Sequence, residues 1–122
     1  MAIAHCTLAT RSVETTRNFL TEVFDFQPII KPSNIPMKAD WVQAGPGQEI
    51  HILEIDGFEV SPFEDEFGRH LAFTFGSEKN ATIIERLKTK GVPIIDPKRP
   101  GPIRRFFCKD PNGYVFEVIE NQ

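Results

Sequence analysis

A chain of 122 residues is long enough to bury a core as one domain without disulfides or a structural metal, so any metal it binds would be functional. A formal net charge of −3, a pI near 5.6 and no Lys/Arg block longer than the pair Arg104-Arg105 exclude an electrostatic footprint for nucleic acid or an anionic membrane and leave small molecules as the expected partners. No apolar run reaches the roughly eighteen residues that span a bilayer, no basic and then apolar leader opens the sequence, and only Cys6 and Cys108 occur, so the chain reads as a reduced, cytoplasmic protein.

In chain order, "HCTLAT" from His5 alternates as a strand, with Cys6 and Leu8 against His5, Thr7 and Ala9. Ser12 then caps a helix whose stripe is Thr16, Phe19, Leu20, Val23 and Phe24. The short strand "QPII" leads through a proline-containing loop to a hairpin, "ADWVQA" turning at "GPG" into "QEIHILEI". In the last of these strands Glu49, His51, Leu53 and Ile55 share one face. Residues 56–69, "DGFEVSPFEDEFGR", form an acidic connection. The strand "HLAFTF" follows, then a helix capped by Ser77 over Ile83, Ile84 and Leu87 that stops at Gly91. The short strand "VPII" and a hairpin, "IRRFFCK" turning at "DPNG" into "YVFEVIE", complete the chain.

The order of elements is the same twice over. His5 and His70 lie 65 residues apart, as do Pro28 and Pro93, while "IHILE" matches "FEVIE", and Trp41 matches Phe107, at an offset of 66. The expected architecture is therefore α+β: two βαβββ modules, about residues 1–57 and 68–122, whose mixed sheets curl around a metal or ligand cavity with helices outside. The small, polar strand faces, His5-Thr7-Ala9 and His70-Ala72-Thr74, suit a cavity better than a packed core.

The duplication bears on the histidines. His5 corresponds to His70 and His51 to Glu117, so all three histidines and one strand carboxylate fall at two pairs of equivalent positions. If the modules close around a pseudo-twofold axis, His5, His51, His70 and Glu117 converge into a first shell for a divalent transition ion, with one or two positions open for substrate. A carboxylate on a largely apolar strand needs such a partner. The plain alternative is three neutral histidines, each satisfied by a hydrogen bond.

The βαβββ duplication, the opening histidine, "RHLAFTF" and "RRFFCKDPNGYVFEVIE" resemble the vicinal oxygen chelate superfamily, which includes glyoxalase I, fosfomycin-modifying enzymes, methylmalonyl-CoA epimerase, extradiol dioxygenases and bleomycin-resistance proteins. The resemblance covers nearly the whole chain. It implies metal ligands at His5, His51, His70 and Glu117, of which His5, His70 and Glu117 match the two-histidine, one-carboxylate set of the dioxygenases and fosfomycin enzymes. It also implies a homodimer. His51 departs from the pattern, since glyoxalase I has a glutamate there and the epimerases a glutamine, which passes the proton chemistry to Glu117.

Of the remaining residues, Trp41 and Phe107 could line the pocket or belong to the core. Arg104 and Arg105, with Lys98 and Arg99, stand near the expected cavity mouth, where they could bind a substrate anion or simply be solvated. Cys6 and Cys108 have no surroundings that would make either a nucleophile, and no phosphate-cradling glycine motif occurs. The expected function is a divalent-metal-dependent enzyme (Zn, Ni, Co, Mn or Fe) acting on a small oxygen-rich substrate, of lyase or isomerase type, with Glu117 catalytic. The alternatives are a fosfomycin-modifying or extradiol dioxygenase relative, and a metal-free ligand-sequestering protein of the bleomycin-resistance type.

Overall fold

The structure, a computed structural model, describes residues 1–121 and divides into two compact units, Met1–Glu59 and Val60–Gln122. In the first unit, β1 (His5–Thr10), α1 (Val13–Phe24), β2 (Gln27–Ile29), β3 (Ala39–Gly45) and β4 (Gln48–Glu54) give a four-stranded sheet in the order β1-β4-β3-β2. β1 runs parallel to β4 and the other neighbours are antiparallel. The helix begins where Ser12, in extended conformation, accepts the Thr15 N–H at 3.2 Å, and ends at Asp25, whose φ of 61° is left-handed. Its stripe of Thr16, Phe19, Leu20, Val23 and Phe24 is buried with Leu8, Val42, Ile50 and Ile52 from the sheet. The other face of the sheet, bearing His5, Thr7, Trp41 and His51, is left to do something else.

In the second unit, β5 (Leu71–Phe75), α2 (Ser77–Thr89), β6 (Arg105–Lys109) and β7 (Val115–Glu120) give a three-stranded sheet in the order β5-β7-β6. The register repeats that of the first unit. Trp41 lies opposite His51 as Phe107 lies opposite Glu117, and Thr7 opposite His51 as Ala72 opposite Glu117. The turn at Asp110 is closed by its buried carboxylate, which accepts the N–H groups of Asn112 at 3.0 Å and Tyr114 at 2.9 Å.

Several elements differ from the sequence reading. "VPII" forms no strand and contributes one bridge, Ile95 with Phe107, through mutual backbone bonds of 2.8 Å. The matched prolines mislead: the left-handed residues that end the helices, Asp25 and Gly91, lie 66 apart, so the extra residue precedes this segment. Ile29 faces Trp41, and its true counterpart is Ile95, one place beyond the residue that the prolines suggest. Ser77 does not cap α2; it is the first helical residue, after an N-cap at Gly76 that makes no side-chain bond. His70 stands one residue before β5 rather than within it.

The acidic segment is also more than a connection. Its second half folds onto the second unit, because Glu64 and Glu66 accept backbone N–H groups far away in sequence: Val115 at 2.8 Å, Lys98 at 2.7 Å and Arg99 at 3.0 Å. Arg69 closes the loop with a two-pronged ion pair to Glu64 at 2.6 and 2.7 Å. Gly68 is required there, since a Cβ would collide with the Phe63 carbonyl. Among the described residues no helix is long and apolar enough to cross a membrane.

Candidate functional site

The register brings the sequence-predicted residues together in two groups, one in each unit. In the first, His51 is 9% exposed and its imidazole is sandwiched. The Trp41 indole lies 3.4 Å away at 9° on one side and the His5 ring 4.0 Å away at 15° on the other. Its Nε2 is 2.9 Å from Oε1 of Glu49, two residues back on the same strand face. Trp41 Nε1 is buried with no hydrogen-bond partner. A nitrogen lone pair lies in the plane of its ring, so two rings stacked this nearly parallel cannot both meet one ion at bonding distance. With His51 wedged and tied to Glu49, the exposed His5 is the freer ligand.

In the second unit, His70 Nδ1 is 3.2 Å from the carbonyl oxygen of Asp65, which can only accept, so Nδ1 carries the proton. The other nitrogen, Nε2, lies 3.1 Å from Oε1 of the buried Glu117. Nε2 donates to the carboxylate when it carries a proton, and without one the two lone pairs repel unless a cation lies between them. The carboxylate is also held from its other oxygen. Arg105 Nη1 donates to Glu117 Oε2 at 3.1 Å, and its Nη2 donates to the Arg99 carbonyl at 2.7 Å. The same nitrogen reaches Glu66 Oε2 at 3.5 Å. Phe107, buried, sets its edge against His70 with centroids 5.4 Å apart at 85°.

The carboxyl of Glu66 is held below its ordinary range. Partial desolvation works the other way, but the N–H groups of Lys98 and Arg99 and the Arg105 guanidinium outweigh it. Cys108 is buried beside Asp110, and burial first and that carboxylate second push its thiol up to about 12, an environment that disfavours the thiolate.

Two arginine expectations change. Arg105 is spent on Glu117, Glu66 and a carbonyl, so it positions the carboxylate and is not free to take a substrate anion. Arg104, just before β6, lines a cavity under α2 with Asn80 and Phe106. Among the described residues no three His, Cys, Asp or Glu side chains are gathered to hold an ion; the candidate ligands lie as the pairs His5 with His51 and His70 with Glu117. The roles of Glu49 and Asp65 were missed. Period two places Glu49 on the face of His51 without showing that the two bond, whereas nothing in the sequence aims the Asp65 carbonyl at His70.

The family model described as "Glyoxalase/Bleomycin resistance protein/Dioxygenase superfamily" matches residues 2–118. The fosfomycin resistance protein FosX of Listeria monocytogenes is 28% identical over 121 residues, covering 95% of this chain and 86% of that protein. A crystal structure of a glyoxalase family protein from Bacillus anthracis is 28% identical, covers 100% of this chain and 96% of its own, and superposes with a TM-score of 0.79. A mutant of Listeria FosX, solved with Mn(II) and 1S,2S-dihydroxypropylphosphonic acid, is 24% identical, covers 99% of this chain and 92% of its own, and also has a TM-score of 0.79.

Proposed function

The chain belongs to the glyoxalase/bleomycin resistance protein/dioxygenase superfamily, and from that premise we propose that it is a divalent-metal-dependent enzyme acting on a small oxygen-rich substrate. The observation that carries this reading is the close pair of His70 Nε2 and Glu117 Oε1, 3.1 Å apart, with the opposite imidazole nitrogen already committed to a carbonyl. A histidine that donates its other N–H to a carbonyl, beside a carboxylate fixed by a further partner, is what a metal ligand set with its outer shell requires. His70 and Glu117 would hold the ion, and the family resemblance implies a further histidine ligand, for which His5 is the freer candidate. The bound ion would supply Lewis-acid polarisation of substrate oxygens.

The chain's own residues do the rest. The Asp65 carbonyl fixes the His70 tautomer and Arg105 fixes the Glu117 carboxylate and balances its charge. Phe107 keeps water from the back of the imidazole. Glu117 is also assigned the proton transfer, as the family resemblance implies for this chain. The test is metal analysis and Mn(II) titration of tag-free protein purified without chelators. We expect one ion per chain, with affinity falling more than about 100-fold in His70→Ala, beyond the loss typical of an outer-shell partner. A chain that takes up no ion would sink this reading and leave ligand sequestration.

The similarity to the fosfomycin resistance protein FosX over 95% of the chain favours fosfomycin as one substrate within this class, and water addition to its epoxide, giving the diol, as the reaction to test. Phosphorus NMR of fosfomycin incubated with the Mn(II)-loaded protein decides it: a diol resonance supports that reaction, and an unchanged epoxide leaves a different oxygen-rich substrate for the same centre.

A further inference from the structure

Glu66 belongs to the connecting segment, outside the strands of either sheet, yet hydrogen bonds lead from its carboxylate to the candidate metal centre without a break. Its Oε2 accepts the Arg99 N–H at 3.0 Å, the carbonyl of the same Arg99 accepts Nη2 of Arg105 at 2.7 Å, and Nη1 of that guanidinium donates to Glu117 Oε2 at 3.1 Å. Glu66 Oε1 takes the Lys98 N–H at 2.7 Å, so the backbone that carries the Arg99 carbonyl is held at two points. A direct contact of 3.5 Å, from Arg105 Nη2 to Glu66 Oε2, closes the circuit.

Two observations tie this run of bonds to Glu117 and not to the fold. The first unit builds the same strand pairing without it: Ala39 stands opposite Leu53 at the place that Arg105, opposite Ile119, takes in the second. The side chains of Glu66, Arg105 and Glu117 are only 8%, 7% and 9% exposed, so two carboxylates share one guanidinium largely out of water. A surplus of buried negative charge weakens a fold unless a cation meets it, and the oxygen left for one is Glu117 Oε1, beside His70. We propose that Glu66 is a positioning residue for the metal centre: acting through the Arg99 backbone and Arg105, it holds the Glu117 carboxylate with Oε1 turned to His70 and the ion. This role rests on the metal-dependent reading given above.

The experiment is Mn(II) titration of the full chain, followed by the loss of the free-ion electron paramagnetic resonance signal at a temperature where every variant is folded by circular dichroism. Glu66→Gln and Arg105→Met should each weaken Mn(II) binding about tenfold or more, the range for an outer-shell partner. Because both act on one run of bonds, the double variant should bind within about twofold of Arg105→Met alone. Glu66→Asp keeps the charge but draws it back from the Arg99 N–H, and should weaken binding as well. Parental affinity in Glu66→Gln or in Glu66→Asp would overturn the proposal, the second by showing that charge alone suffices. So would losses that multiply in the double variant, since Glu66 would then act independently of Arg105. A parent that takes up no Mn(II) removes the metal reading and this role together, whereas a parent that binds while Glu66→Gln binds equally well removes this role alone.

Discussion

An imidazole coordinates a metal in the plane of its ring, at about 2.0–2.1 Å for zinc. Stacking therefore divides the two histidines of the first unit by role: His5 is exposed on one side of the stack, while His51 is wedged between it and Trp41 and tied to Glu49. If His51 supports and His5 ligates, their substitutions should separate two readouts. His5→Ala should lower Mn(II) affinity by more than about 100-fold with little change in unfolding temperature. His51→Gln should keep the ion and lose about 1–2 kcal/mol of stability, from the aromatic contact and the bond to Glu49. Metal titration and urea unfolding of both variants check this, and a His51→Gln protein that loses the ion as severely as His5→Ala would return His51 to the ligand set.

At the scale of the elements, the two helices start by different means although the sequence offers a serine near the start of each. Ser12 spends its side chain on the Thr15 N–H, whereas Ser77 already lies inside α2 and Gly76 holds the cap position. Ser12→Ala should cost about 1 kcal/mol in chemical unfolding, and Ser77→Ala should stay within about 0.5 kcal/mol; comparable losses would show that the second cap is also made by a side chain. The same contrast shows what was legible in the sequence. Periodicity and duplication located the strands that carry His5, His51 and Glu117, because side-chain alternation is written locally. What was not local was not legible. The grip of Glu64 on Val115, the capture of Lys98 and Arg99 by Glu66 and the diversion of Arg105 to Glu117 are contacts between distant residues. "VPII" was misread because two prolines coincided one residue out of structural step.

Over the molecule as a whole, two carboxyl groups of the second unit should bend the pH dependence of stability in opposite directions. Glu66 titrates below its ordinary value because its hydrogen bonds to Lys98 and Arg99 and its pairing with Arg105 outweigh desolvation. Its contribution is therefore complete above the unfolded value of 4.5 and is lost as pH falls through the lower folded value. Asp110 titrates above its ordinary 3.8 because burial outweighs the bonds from Asn112, Tyr114 and Gly113. Relative to an ordinary carboxyl, its contribution is complete below 3.8 and is lost as pH rises through the raised folded value. Urea midpoints of the parent, Glu66→Gln and Asp110→Asn between about pH 3 and pH 7 should separate the two. The advantage of the parent over Glu66→Gln should shrink as pH falls below 4.5, as the ordered segment loses its charged hold on the loop at Lys98. The parent's standing against Asp110→Asn should instead worsen as pH rises from below 3.8, with a constant offset for the bonds that asparagine makes differently. Two difference curves of the same sign would mean that the buried turn at Asp110 is governed by its hydrogen bonds and not by desolvation.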